Sequence, residues 1–110
     1  MAMRYIIFVI DTPGNLATPS EMSAIDGFNE KLQSTGSWNT AAGIHGSSET
    51  YVIDSRATSE LVRSGSLVEG SENYTGFWII ECDSDAHALE IAKEASRACN
   101  RRVELRPYLR

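Results

Sequence analysis

Four side chains in this sequence have the chemistry for acid–base or binding work: His45, Asp26, Glu69 and Glu72. His45 stands between two glycines in "AGIHGSS", where a flexible loop can present an imidazole to a pocket. A histidine ordinarily titrates near neutrality, the range in which a general acid or base is most useful. Asp26 falls on a helical segment one position after the apolar Ile25. Glu69 and Glu72 lie in "RSGSLVEGSENYTGFWIIE", where a Gly- and Ser-rich loop runs into a very apolar strand. Gly65 and Gly76 lie in the same stretch and let backbone come close to a bound group. Carboxylates gathered around His45 would favour its protonated form and make it an acid at neutral pH. The expected site therefore has His45 and Asp26 as catalytic candidates. Glu69, Glu72, Gly65 and Gly76 are its ligand-binding candidates.

Each of these residues also has a plainer role. An exposed loop histidine and a solvated helix carboxylate are common and need no function. Gly65, Gly70 and Gly76, with serine and asparagine between them, suit turns that require positive φ. His87 falls in the first turn of a helix, an unfavourable place for a positive charge. No nucleophile elbow, phosphate loop, dinucleotide fingerprint or paired histidine set occurs. Cys82 and Cys99 have no C-x-x-C spacing, so neither a metal, a disulfide nor a cofactor is expected.

The elements that must position these residues can be read from apolar spacing. "RYIIFVID" is a strand with apolar residues on both faces, Tyr5, Ile7 and Val9 opposite Ile6, Phe8 and Ile10. "TPSE" is a capping box with Thr18 as N-cap, Pro19 at the first helical position and Glu21 reaching back. Met22, Ile25, Phe28 and Leu32 then form a helical stripe that stops at Gly36. "SWNTAAGI" and "ETYVIDS" read as strands, and "ELVRSG" as a short one. "GFWIIEC" is again apolar on both faces, with Phe77 and Ile79 opposite Trp78 and Ile80. A second helix starts at Asp83 or Ser84, carries Leu89, Ala92, Ala95 and Cys99 on one side, and ends near Asn100. "RRVELRPY" is a last strand whose Pro107 suits a sheet edge. Arg101, Arg102, Arg106 and Arg110 read as its solvent face.

Strand, helix, strands, helix, strand is the order of a ferredoxin-like α+β domain, and 110 residues make one such domain. Two helices cover one face of its antiparallel sheet. The other apolar face needs a cover, which a second copy supplies, so a homodimer through the open sheet face is expected. The alternative cover is the long loop 56–75. A net charge of −5 argues against nucleic acid, since the one basic concentration, Arg101, Arg102, Arg106 and Arg110, reads as a strand's solvent face and not a phosphate groove. No stretch is long and apolar enough to span a bilayer, and the apolar run in "MAMRYIIFVIDTPG" is too short for a signal segment. A cytoplasmic location is the simplest expectation.

"MRYIIFVID", the capped helix ending at Gly36, "AAGIH" and "EGSENYTGFWIIECDSDAHALEIAKE" together resemble the YCII-related family, in its DGPF-motif branch. The resemblance implies a dimeric α+β barrel of ferredoxin-like subunits. The Asp-Gly-Pro-Phe signature falls on Ser64, Gly65, Ser66 and Leu67, and only the glycine matches. Glu69, Glu72 and Gly76 stand where the branch carries two glutamates and a glycine. Some relatives resemble small enzymes with a His–Asp pair whose histidine lies on the first helix. Here that helix, "SEMSAIDGFNEKL", has none, and Ser64 does not titrate in the working range. Two function classes stay open: a small homodimeric protein that binds a small organic ligand, and a cofactor-free enzyme using a His/carboxylate pair.

Overall fold

The computed structural model describes residues 2–68 and 70–109, so Glu69 and Arg110 lie outside the described residues. The chain forms β1 (Met3–Asp11), α1 (Pro19–Ser34), β2 (Trp38–Gly43), a single 3-10 turn (Ser47–Glu49), β3 (Tyr51–Asp54) and β4 (Leu61–Ser64). It continues through β5 (Asn73–Cys82), α2 (Asp85–Cys99) and β6 (Arg102–Pro107). The main sheet has the order β2-β5-β1-β6 with every pair antiparallel. With β3 and β4 set aside as a separate hairpin, this is the ferredoxin-like α+β arrangement.

Period-two alternation splits the two central strands between two faces. Tyr5, Ile7 and Val9 of β1 and Trp78, Ile80 and Cys82 of β5 are buried in one core with Phe28, Leu32 and the α2 face. Ile6, Phe8, Ile10, Phe77 and Ile79 point the other way and are half-buried. An irregularity in the β1–β5 register pairs Val9 with Gly76 but Ile10 with Tyr74, which brings Tyr74 to that same open side. There its ring stacks on Phe8 at 4.2 Å, and Arg106 lies 5.7 Å over Phe8. Tyr74 donates to Glu104, which also accepts from Arg106. These bonds, that from Tyr74 first, hold the Glu104 carboxyl below its ordinary range.

Both helices begin as the sequence directs. Thr18 and Glu21 make the two reciprocal bonds of the capping box, with Pro19 in the first turn. Ser84 caps α2 by accepting from the His87 N–H, and Asn100 closes it in the left-handed region at φ 55°. The buried face of α2 is Ala88, Ile91, Ala92, Ala95 and Cys99. Leu89, expected on that face, is 53% exposed, because it lies about 100° around the helix from the line starting at Ala88. Its position three residues before Ala92 satisfies local spacing, yet it fails against the longer run of small residues that lets α2 approach the sheet.

The hairpin β3–β4 packs chiefly on itself and on the 3-10 turn. Tyr51, Ile53 and Val62 share one of its faces and are all more than 60% exposed. This projecting piece explains a radius of gyration of 15.8 Å, against about 13 Å for a compact chain of similar length.

Candidate functional site

A concavity of about 530 Å³ opens on the helix side of the sheet near the N-terminal end of α1. That volume falls in the range of small-molecule sites. Its base is the backbone and side chains of Val9, Ala41, Gly76 and Trp78. Met22, Ile25 and Asn29 of α1 form one wall, and loop 12–17 between β1 and α1 forms another. Ile44, His45 and Gly46, just past β2, line its mouth. Cys99 and Arg101 close the far end.

Two glycines allow these parts to meet. A Cβ on Gly76 would stand 3.1 Å from the Ala42 carbonyl oxygen, so glycine lets β5 lie against β2 here without β2 having to give way. A Cβ on Gly46 would stand 2.9 Å from the Pro13 Cβ. Glycine at that point therefore permits the segment carrying His45 to rest against loop 12–17.

Arg101 fixes the far end. Its Nε donates to Asp11 at 2.5 Å, Nη1 to the Cys99 carbonyl and Nη2 to the Asn15 carbonyl, while Glu21 lies 3.4 Å from Nη1. The Arg101 side chain is only 11% exposed, and those of Asp11 and Glu21 15% each. It joins the end of β1, the loop, the first turn of α1 and the turn before β6. The bond from Arg101 is the main reason that the Asp11 carboxyl is held below its ordinary range. Burial pushes the neighbouring Cys99 thiol up, keeping it protonated at neutral pH. Arg101 is thus a buried strut, in contrast to Arg102 and Arg106, which do lie on the exposed strand face.

Within the cavity, the Trp78 indole N–H donates to Asn29 Oδ1 at 2.7 Å, and the Trp78 ring meets Phe28 edge-on at 5.4 Å. Both contacts fix the indole in the wall.

Of the residues the sequence singled out, the structure brings His45 and Gly76 to this cavity. His45 is exposed and makes no side-chain hydrogen bond or ion pair among the described residues. Asp26 is exposed on α1, one step around the helix from Ile25, and does not line the cavity. Glu72 pairs with Arg102 at the sheet edge. Gly65 ends the hairpin, where its N–H donates to the Thr50 carbonyl at φ 104°. Glu69 lies outside the described residues. The cavity lining contains no carboxylate among the described residues.

Asn29 and loop 12–17 carry no motif and escape sequence reasoning. A signal for Asn29 does exist: Met22, Ile25, Asn29 and Leu32 have core spacing, and a polar residue on such a stripe needs a partner.

The YCII-related domain model matches residues 3–110, and the chain belongs to that family. A search of curated proteins finds no match. Among the described residues, no helix is long and apolar enough to cross a membrane, and no group of three or more metal-ligating side chains occurs.

Proposed function

We propose that this protein is a small homodimeric binding protein whose subunits each hold a small organic molecule in the cavity beside α1. The observation that carries this reading is the cavity itself: about 530 Å³, walled by Val9, Ile25, Ala41 and Trp78, with few polar groups. An acid–base enzyme would need a titratable group held by a partner in a partly buried place. His45 stands exposed at the mouth with no carboxylate beside it in the lining, which favours binding over catalysis.

The dimer is supported by the open sheet face, where Ile6, Phe8, Ile10, Phe77 and Ile79 have no helix over them. A stable interface takes about 800 Å² from each partner, so these half-buried side chains would supply part of what a second copy covers. The bare face of the β3–β4 hairpin adds to what a second copy would cover. Gly65 and Gly76 support placement in the DGPF-motif branch, and the open face supports assembly as a dimeric α+β barrel. A reduced cytoplasm suits the two buried, free thiols Cys82 and Cys99.

The test is a ligand-observed NMR screen of small neutral and charged fragments, run beside the cavity-filling variant Ala41→Leu. Hits that disappear with the variant support the reading. An absence of hits, or hits retained by a folded Ala41→Leu protein, would refute it. Light scattering at micromolar concentration should give about twice the 12.1 kDa chain mass, and the single-chain value would refute the dimer.

A further inference from the structure

Asn29 is the polar group of the cavity whose orientation chemistry fixes. The indole N–H of Trp78 is a donor only, so the amide atom facing it must be the oxygen. The amide nitrogen Nδ2 is thereby turned away from Trp78. Nδ2 makes no hydrogen bond among the described residues. It is not sealed off either, because no buried side-chain N or O atom there lacks a partner. The open space that Asn29 lines is the cavity. Two N–H donors without a partner among the described residues therefore belong to a side chain that lines an otherwise largely apolar wall.

Charge narrows what they would meet. Arg101, the one guanidinium in the lining, is matched by both Asp11 and Glu21, so an anion gains little there. A cation finds no carboxylate in the lining among the described residues. The apolar walls Val9, Ile25, Ala41 and Trp78 favour a ring or short hydrocarbon body.

We infer that the cavity takes a neutral, mainly apolar small molecule bearing an acceptor oxygen, which Asn29 Nδ2 recognises. This rests on the binding reading above and adds the chemical class of the ligand. Burying a donor beside a molecule that offers it no acceptor is penalised, so the site discriminates for a carbonyl or ether oxygen.

Two probes of similar size separate the contributions: acetophenone, and α-methylstyrene, in which a methylene replaces the carbonyl oxygen. Binding is read from the Trp78 indole N–H resonance in ¹H–¹⁵N NMR titrations. The wild-type protein should bind acetophenone about tenfold more tightly than α-methylstyrene. In Asn29→Leu that preference should collapse, with α-methylstyrene affinity changed by no more than about threefold. Asn29→Asp keeps an acceptor for Trp78 but removes the Nδ2 donors, and it too should lose the preference. Equal affinities in wild type, or a preference that survives in both variants, would overturn the inference while leaving the binding reading standing. No binding of either probe to wild type would overturn both.

Discussion

At the scale of single residues, the molecule depends on groups whose roles are set by partners far away in sequence. Arg101 is the clearest instance. Read along the chain it is one of several arginines near a terminal strand, and nothing local separates it from Arg102. Only the fold brings Asp11, Asn15 and Glu21 around it. Replacing Arg101 by Met should leave Asp11 and Glu21 without their cationic partner and destabilise the fold. The expected readout is a melting point below that of the wild type. The acid response has a defined sign. The folded Asp11 carboxyl is held below its ordinary value of 3.8, so the stability it contributes is present above about pH 4 and lost as pH falls further. Urea midpoints between pH 5 and 2.5 should fall steeply for wild type and less steeply for Arg101→Met; parallel curves would contradict the pairing. Gly76 makes a second residue-scale prediction. Gly76→Ala forces a methyl to 3.1 Å from the Ala42 carbonyl, so β2 must shift and stability should drop by about 1–3 kcal/mol, measured by denaturant unfolding.

At the scale of elements, the sequence was most legible where the signal is local. The Thr18/Glu21 box, the Pro19 start and the double-faced strands around Ile7 and Ile80 are consequences of spacing a few residues long, and the structure has them all. The α2 face was misjudged at Leu89 because three-residue spacing alone cannot decide which of two adjacent stripes meets the sheet. The candidate site was legible only at His45 and Gly76, which flank the β2–β5 pairing. Asn29 needed the knowledge that Trp78 faces the helices, and strand alternation leaves that choice open. The hairpin provides a test at this scale. Thr50 and Gly65 are already joined by a backbone hydrogen bond of 2.7 Å, so residues 51–64 can be replaced by an Asn-Gly turn. The far-UV circular dichroism of the body should persist, since the hairpin adds no residue to the core cluster. Dissociation of the proposed dimer should become at least about tenfold easier with the loss of the exposed apolar side chains of Tyr51, Ile53, Leu61 and Val62. An unfolded product, or an unchanged dimer, would contradict this division of labour.

For the whole molecule, the two faces of one sheet have separate tasks. The helix side encloses the core and, beside α1, the cavity; the open side carries Ile6, Phe8, Ile10, Phe77 and Ile79, where the proposed second copy would sit. Tyr5 illustrates how firmly the first side is closed. Its buried phenol donates to Asp85 at the start of α2, and this bond pushes its pKa up to about 12, so it stays protonated and ties α2 to β1 across the ordinary pH range. Such a division means that a ligand and a partner chain should be felt by different methyl groups on the same strands. Methyl NMR during titration with a fragment hit tests this most directly. Shifts concentrated at Val9, Ile25 and Ala41, with Ile6, Ile10 and Ile79 unmoved, are the predicted result; shifts at Ile6, Ile10 and Ile79 with Val9, Ile25 and Ala41 silent would contradict the cavity as the binding site.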